Sequence, residues 1–234
     1  AGSGKSTTLA SMIDHRNHTV GGHILTVEDP MEFEHAHAKA IVDQREVGLD
    51  TQSFDEALRH AMREAPDVIM IGEIRDRETM QHAMAYAETG HLCLSTLHAN
   101  NANQAIQRIL NFYPETAHKQ VLMDLSLNLK AVVGQRLIRG TAGKLVPAVE
   151  VMLLSPYIAD LIQKGQTDDI KDAMAKSTEQ GMLTFDQSLY TLYQSGAITA
   201  EQAVEFADSR TDLSLRIRLH TGQRPDTSSL QIKP

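Results

Sequence analysis

The sequence contains a single cysteine, Cys93, so it cannot form an intrachain disulfide or a zinc site that needs several cysteines. No apolar run approaches the roughly 18 residues that a membrane-spanning helix needs, and no secretory signal peptide is visible. Positive charge is scarce, because 22 Lys and Arg face 30 Asp and Glu and leave a net charge of −8. That balance argues against nucleic acid as the main partner. The single cysteine leads us to expect a protein of a reducing, cytosolic compartment.

The sequence begins within a glycine-rich phosphate-binding loop. Gly4-Lys5-Ser6 is the second half of the pattern G-x-x-x-x-G-K-[ST], in which glycines let backbone amides surround phosphate oxygens. Lys5 is expected to reach the β- and γ-phosphates of a nucleoside triphosphate, and the Ser6 hydroxyl to ligate Mg²⁺. The first glycine of the pattern and a hydrophobic strand that feeds the loop are expected to precede Ala1. The residues predicted to bind the phosphates are Gly2, Ser3, Gly4, Lys5, Ser6 and Thr7.

Strand and helix patterns alternate over residues 1–155, which predicts an α/β core with a parallel or mixed sheet and helices on both faces. The segments over residues 156–219 are short and helical, and they predict a small all-helical C-terminal subdomain. Residues 220–234 are polar and lack periodicity, so a disordered tail is expected there. The predicted strands cover about 23–27, 40–47, 67–73, 91–96, 132–139 and 145–154.

Two helix starts carry local signals. Ser53 followed by Glu56 predicts a capping box, and Asp76 is predicted to cap the helix that begins RETMQ.

Two groups of carboxylates follow predicted strands. Glu28, Asp29 and Glu32 come after HILTV, and Glu73 ends the apolar segment DVIMIGE. Because ligands of open α/β sheets bind outside the carboxyl ends of the strands, both groups are expected to face one pocket. Hydrolysis of a nucleotide needs an acid that holds Mg²⁺ and a carboxylate that orients or deprotonates water. The alternatives are a polar turn at the first group and a helix-capping acid at Glu73, which would be an atypical Walker B residue.

Histidines and arginines are the remaining candidates. His91 and His98 flank the predicted strand HLCLST, where they could sense a γ-phosphate or be ordinary strand-end histidines. Four arginines lie near the expected nucleotide edge or a subunit seam and could contact nucleotide or pair with the excess acid. These are Arg45, Arg63, Arg75 and Arg77.

Taken in order, these segments resemble the secretion ATPase superfamily and, more closely, the type IV pilus retraction ATPases of the PilT and PilU type. The resemblance covers residues 1–155 most strongly, and the stretches LHANNANQAIQRILNFYPE and MLTFDQSLYTLYQSGAIT resemble the PilU-type accessory motor. A lone P-loop is common, whereas the ordered set is specific. The matching segments are GSGKST, the aspartate box ILTVEDPMEF, QREVGLDTQSF, the Walker B segment APDVIMIGEIRD and the histidine box ETGHLCLSTLHANNA.

The resemblance implies a RecA-like P-loop NTPase core that uses ATP and Mg²⁺. It implies that Glu28 is the general base for water, that Glu73 and Ser6 hold Mg²⁺, and that His91 and His98 sense phosphate. It also implies a homohexamer with ATP between subunits, in which a PAS-like N-terminal domain, not contained in these residues, supplies arginines to the neighbouring site.

The function implied is an ATP-hydrolysing motor that retracts type IV pili and drives twitching motility. Such a motor is expected in the cytoplasm, held at the inner membrane by a pilus platform protein, and acting alone or beside a PilT-like partner motor. The single cysteine rules out the four-cysteine zinc insert of many pilus-assembly and type II secretion ATPases, which favours the retraction branch. An assembly or secretion motor and a regulatory ATP-binding module are the alternatives.

Overall fold

The computed structural model describes residues 2–220 of the chain. Its centre is a sheet of four parallel strands in the spatial order β2-β1-β3-β4. Parallel pairing brings the carboxyl ends of these strands to one edge of the sheet, and the prediction of an α/β core is confirmed. The strands are β1 (Gly22–Glu28), β2 (Ala40–Glu46), β3 (Val68–Ile71) and β4 (Leu92–Ser95).

Helices cover both faces of this sheet, as predicted. Along β1 and β3 the buried residues alternate between two clusters because successive side chains of a strand point to opposite faces. One cluster joins Ile24 and Met70 to helix α1 (Lys5–Thr19), and the other joins Leu25 to helices α2 (Phe54–Ala61) and α3 (Arg77–Glu88). A short 3-10 helix, Met62–Glu64, extends α2. The strands are therefore buried from both sides.

The two last strands form a separate antiparallel hairpin. Strands β5 (Ala131–Arg139) and β6 (Leu145–Leu153) pair along nine residues and join no strand of the parallel sheet within the described part of the chain. The prediction of one sheet is therefore corrected to two. An apolar groove of about 260 Å³ lies between β4 and β5, and helices α4 (Ala102–Leu110) and α5 (Glu115–Asn128) complete this half of the core.

Five short helices follow the hairpin, and the first four lie where the sequence predicts helical segments. Two 3-10 turns, Thr167–Asp169 and Thr178–Gln180, interrupt them. The helices are α6 (Pro156–Gln163), α7 (Ile170–Ala175), α8 (Phe185–Gln194), α9 (Ala200–Glu205) and α10 (Arg210–His220).

The hydrophobic core continues across residue 155, where a domain boundary was predicted. Ile158 and Leu161 of α6 and Met174 of α7 belong to the same buried cluster as Leu25 of β1. Helices α8, α9 and α10 pack instead on a second cluster that includes Ile138 of the hairpin. The first two C-terminal helices thus share the core of the sheet.

Helix α10 was not predicted from the sequence. Its apolar residues recur at every second position, which is a strand-like period, and only Leu213 and Ile217 are buried. His220 ends this helix, and the remainder of the predicted disordered tail, residues 221–234, lies outside the described residues. No helix between residues 2 and 220 combines the length and the apolar character that crossing a membrane requires.

Candidate active site

The carboxyl ends of β1, β3 and β4 meet the start of α1 at one edge of the sheet. The glycines of the loop before α1 adopt the left-handed backbone conformation, with φ of +78° at Gly2 and +83° at Gly4. Gly4 caps α1 without a side-chain hydrogen bond, and the first turn contains no acidic residue. The first amides of the helix therefore remain available to an anion, and the helix dipole favours one.

A cavity of about 570 Å³ opens beside this loop. The residues predicted to bind phosphate all line it, and so do the three predicted acidic or histidine residues Glu28, Glu73 and His98. The structure therefore brings together most of the residues singled out by the sequence. Those from the loop are Gly2, Ser3, Gly4, Lys5, Ser6 and Thr7.

Glu28 is the last residue of β1 and is held from within the fold. Its side chain is mostly buried, with 8% of its surface exposed. The Thr26 hydroxyl donates to Glu28 Oε1 at 2.8 Å, and Gln44 Nε2 approaches the same oxygen at 3.5 Å. A carboxylate fixed in this way, with its other oxygen free of these contacts, is suited to orient and deprotonate a water molecule.

Glu73 lies just beyond β3 and contacts two cationic or basic side chains. Arg75 Nε donates to Glu73 Oε2 at 2.7 Å, and this hydrogen bond raises the pKa of the Arg75 guanidinium above its usual value. Arg75 also reaches Asp29 at 3.8 Å, so it bridges the two acidic groups. His98 Nε2 lies 2.5 Å from Glu73 Oε1, yet that buried oxygen accepts no hydrogen bond of acceptable geometry.

The orphaned oxygen of Glu73 fits a divalent cation. Mg²⁺ prefers carboxylate, hydroxyl and phosphate oxygens, and this cavity provides a buried carboxylate oxygen and the Ser6 hydroxyl. In the structure Ser6 donates to Glu32 Oε1 at 2.9 Å. Glu32 was noted in the sequence as one of the acidic group and was not predicted as a site residue. Its contact with Ser6 crosses 26 residues of chain and has no local signal.

Gly72 allows the ends of β1 and β3 to approach each other. Its amide donates to the Val27 carbonyl at 2.8 Å. A Cβ atom at position 72 would lie 3.3 Å from the Cα of Glu28. The glycine in the atypical Walker B segment therefore sets the spacing between the two acidic strand ends.

The structure separates the two histidines. His98 follows the carboxyl end of β4 and lines the cavity, whereas His91 precedes the amino end of the same strand. His91 Nδ1 lies 3.0 Å from the Thr89 hydroxyl, and its ring packs edge-on against Tyr86. His91 is not among the residues that line this cavity, because β4 lies between the two histidines. Its predicted role as a phosphate sensor within this pocket is not supported by that position.

Of the four candidate arginines, Arg75 lines the cavity. Arg45 is bound instead to Glu64 at 2.7 Å, and Arg77 lies over the Tyr113 ring at 5.4 Å from its centroid. The Arg45 contact is a pair with an acid, which the sequence left as an alternative, whereas Arg77 contacts an aromatic ring.

Gln135 contacts the phosphate-binding loop from outside the cavity, and the sequence did not indicate it. It comes from β5, and its Nε2 donates to the Ser3 carbonyl at 2.8 Å. A contact between residues 132 positions apart leaves no trace in a local pattern, so only the fold reveals it.

Comparison with known proteins places this site in a family. Residues 1–206 match the family described as Type II/IV secretion system protein. The chain is 59% identical over 230 residues to the type IV pilus ATPase PilU of Pseudomonas aeruginosa, covering 98% of this chain and 60% of that protein. It is 45% identical over 206 residues to the type IV pilus retraction ATPase PilT of the same organism, covering 88% of this chain and 60% of that protein.

The fold has a counterpart among solved structures. A crystal structure of the pilus retraction motor PilT with bound ADP matches with a TM-score of 0.84 and 44% identity, covering 90% of this chain and 60% of that one. The match confirms the predicted RecA-like fold class. The chain spans about 60% of the length of the curated relatives described above. With a family match over residues 1–206 and 59% identity to PilU across nearly its whole length, the chain belongs to the type II/IV secretion system protein family.

Proposed function

We propose that this chain carries the ATP-hydrolysing site of a type IV pilus motor. The observation that carries the proposal is that one cavity of about 570 Å³ is lined by the phosphate-binding loop and by both Glu28 and Glu73. A binding module needs only the loop, whereas hydrolysis also needs a carboxylate for water and an acid near the metal. The similarity to PilU and PilT supports the same class of function.

The loop and the first turn of α1 would hold the triphosphate. Gly2 and Gly4 open the loop, and Lys5 supplies the positive charge for the β- and γ-phosphates. Ser6 and Glu73 would hold Mg²⁺, which when bound would neutralise charge on the phosphate oxygens. To do so, Ser6 gives up its contact with Glu32, and Glu73 gives up part of its contact with Arg75.

Glu28 is proposed as the general base. Thr26 holds one of its oxygens at 2.8 Å, and the other can accept a proton from water as the oxygen of that water attacks the γ-phosphorus. His98, beside Glu73, is proposed to stabilise the charge on the γ-phosphate. Together these residues would hydrolyse ATP to ADP and phosphate.

At the level of the whole protein, the proposal is a homohexameric retraction motor. It would work in the cytoplasm at the inner membrane, against the pilus platform protein, alone or beside a PilT-like motor. Support comes from the similarity to the structure of a pilus retraction motor and from a higher identity to PilU than to PilT. We propose no nucleic-acid partner, since the net charge is −8.

The enzymatic proposal is tested with the purified protein, ATP and Mg²⁺. Glu28→Gln should lower the hydrolysis rate by about 10²- to 10⁴-fold while nucleotide still binds, because the general base alone is removed. Lys5→Ala should weaken nucleotide binding by about ten- to a hundredfold, since charge-assisted hydrogen bonds to phosphate are lost. Glu88→Gln and Lys144→Ala, both on exposed residues away from the cavity, are the matched controls. Parental turnover in Glu28→Gln and in Lys5→Ala would refute the assignment.

The regulatory alternative has its own observation. Glu73 is engaged by Arg75, and Ser6 by Glu32, so the groups proposed for Mg²⁺ are occupied by protein contacts. If tight nucleotide binding came without phosphate release in the assembled protein, the chain would be a nucleotide-sensing module. The direction of force is tested in cells: loss of a retraction motor leaves pili that do not retract, whereas loss of an assembly motor leaves cells without pili.

A further inference from the structure

One side chain of the hairpin ties the phosphate-binding loop to helix α1. Gln135 Nε2 donates to the Ser3 carbonyl at 2.8 Å, and the Thr8 hydroxyl donates to Gln135 Oε1 at 2.7 Å. The orientation of the amide is fixed by chemistry, because the Ser3 carbonyl can only accept and therefore must face the nitrogen. Gln135 thus bridges the two parts of the loop-helix unit that is proposed to hold the phosphates.

The position of Gln135 is set by the hairpin register. Gln135 pairs with Val149 within a nine-residue antiparallel ladder. Its neighbour Arg136 lies on the opposite side of the strand, 3.8 Å from the centroid of the Phe185 ring, and donates to the Phe206 carbonyl at 2.6 Å. Because alternate side chains of a strand face opposite sides, anchoring Arg136 on α8 directs Gln135 toward the loop.

The contact with Ser3 controls the direction of an amide. The Ser3–Gly4 peptide is trans, since the cis peptide among the described residues is Asp29–Pro30. In a planar trans peptide the carbonyl of one residue and the amide of the next point in opposite directions. Holding the Ser3 carbonyl toward β5 therefore turns the Gly4 amide away from β5. Gly4 has φ of +83°, a conformation that favours glycine, and a Cβ atom there would lie 2.6 Å from Gln135 Nε2 and displace that amide.

We propose that Gln135 is a positioning residue of the nucleotide site, which holds the Ser3–Gly4 peptide so that the Gly4 amide faces the phosphates. It acts through the backbone of the loop and touches no reacting atom. The proposal rests on the proposed function, because it assumes that the loop binds a nucleoside triphosphate. It extends that function by assigning part of the phosphate cradle to the hairpin.

The test compares variants of the purified protein by their affinity for a fluorescent ATP analogue with Mg²⁺. Gln135→Met keeps the length of the side chain and removes both hydrogen bonds, and it should weaken binding by about three- to tenfold. Gln107→Met is the matched control, since Gln107 donates to the Thr167 hydroxyl at 3.0 Å, away from the loop. The control should bind within twofold of the parent.

A second variant separates positioning from packing. Gln135→Glu keeps the shape and the acceptor for Thr8, but as a carboxylate it has no donor for the Ser3 carbonyl. Its affinity should be low at neutral pH and should recover as the pH falls toward the carboxyl pKa and the group regains a donor. The parent measured over the same range provides the baseline. Because the new carboxylate would also repel the phosphates with the same pH dependence, a positioning role requires that the uncharged Gln135→Met weakens binding too.

The outcomes are distinct. If Gln135→Met and Gln135→Glu bind the analogue within twofold of the parent while Lys5→Ala loses it, the positioning role is wrong and the proposed function stands. If Lys5→Ala also binds normally, the proposed function fails. Should Gln135→Met fail to fold by circular dichroism, Gln135→Leu takes its place, since it also removes both hydrogen bonds without adding a charge.

Discussion

His98 Nε2 lies 2.5 Å from Glu73 Oε1 without forming a hydrogen bond of acceptable geometry, while Arg75 holds the other oxygen of Glu73 at 2.7 Å. In the carboxylate proposed for Mg²⁺, one oxygen is therefore bound by a cation of the protein and the other accepts no hydrogen bond. This makes Arg75 a competitor of the metal, although 60% of its side-chain surface is exposed and its pairing energy is accordingly modest.

Arg75→Gln should lower the Mg²⁺ concentration that gives half-maximal ATP hydrolysis. Removing the competing cation should shift that concentration by about two- to fivefold, the range expected of an exposed ion pair. Arg45→Gln is the control, because Arg45 makes a comparable pair with Glu64 outside the cavity. A higher Mg²⁺ requirement in Arg75→Gln would mean that Arg75 assists the site instead.

Gly72→Ala should reduce hydrolysis by about tenfold with a small loss of stability. The added Cβ atom would meet the Cα of Glu28 at 3.3 Å, so the ends of β1 and β3 must move apart by a few tenths of an ångström. Displacements of this size matter for an aligned general base. Gly21→Ala is matched to it, since its Cβ atom would meet the Lys39 carbonyl at 3.3 Å near the opposite edge of the sheet. Equal rates in the two variants would contradict the spacing role.

Glu150→Gln should change how the stability of the fold depends on pH. Glu150 is 3% exposed, and burial raises its pKa above the ordinary value of 4.5 against the lowering effects of the Ala102 amide, Arg136 and Lys171. Asp208 adds to the rise. Because the folded state holds this proton more tightly, Glu150 makes stability fall as the pH rises from 4.5 through the raised folded pKa.

The measurement is urea unfolding between pH 4.5 and pH 7. Relative to Glu150→Gln, the parent should lose stability across this range, and the difference should level off above the folded pKa. Glu201→Gln is the contrast, because hydrogen bonds from its own amide and from Thr199 lower the pKa of Glu201 in the fold. Its effect on stability therefore lies mainly below pH 4.5, and the difference between the parent and Glu201→Gln should change little from pH 4.5 to pH 7. If the difference in unfolding free energy between the parent and Glu150→Gln did not change with pH, the pKa of Glu150 would not be raised in the fold.

Cys93 should resist thiol reagents in the folded protein. Burial raises the pKa of its thiol to about 12, so the reactive thiolate is scarce at pH 8. Labelling is measured by the release of a chromophore from a disulfide reagent. It should be slow in buffer and fast in denaturing urea. Because Cys93 is half-buried and lines the groove beside β4, fast labelling in buffer would show that its pKa in the folded protein is not raised.

Local signals predicted much of this fold, and they failed where distance along the chain was large. Asp76 caps α3 by accepting from the Thr79 amide, and Ser53 caps α2 through the Glu56 amide, as predicted. The capping box predicted at Ser53 is only half formed among the described contacts. The Glu56 carboxylate does not accept from the Ser53 amide and accepts instead from the Gln52 amide. Capping hydrogen bonds join residues a few positions apart, so they can be predicted from the local sequence alone.

The site was predicted from motifs, and its supporting contacts were not. The carboxylates at strand ends converge because parallel strands end at one edge, and that rule needs no coordinates. The contacts of Gln135 with Ser3 and of Glu32 with Ser6 depend on loops and a hairpin whose paths follow from packing. The position of His91 could not be predicted for the same reason, because the length and direction of β4 decide which of its flanking histidines reaches the cavity.

The core that continues from the sheet into α6 and α7 has a consequence for cooperativity. Because Leu25, Ile158 and Met174 share one buried cluster, the sheet and these helices should melt together, and nucleotide bound at the loop should raise the melting temperature of both. A force applied to α6 would therefore be transmitted to the sheet by close-packed side chains and not by a flexible linker. Strain in those helices would thus reach β1, which ends at Glu28, and β3, which ends just before Glu73.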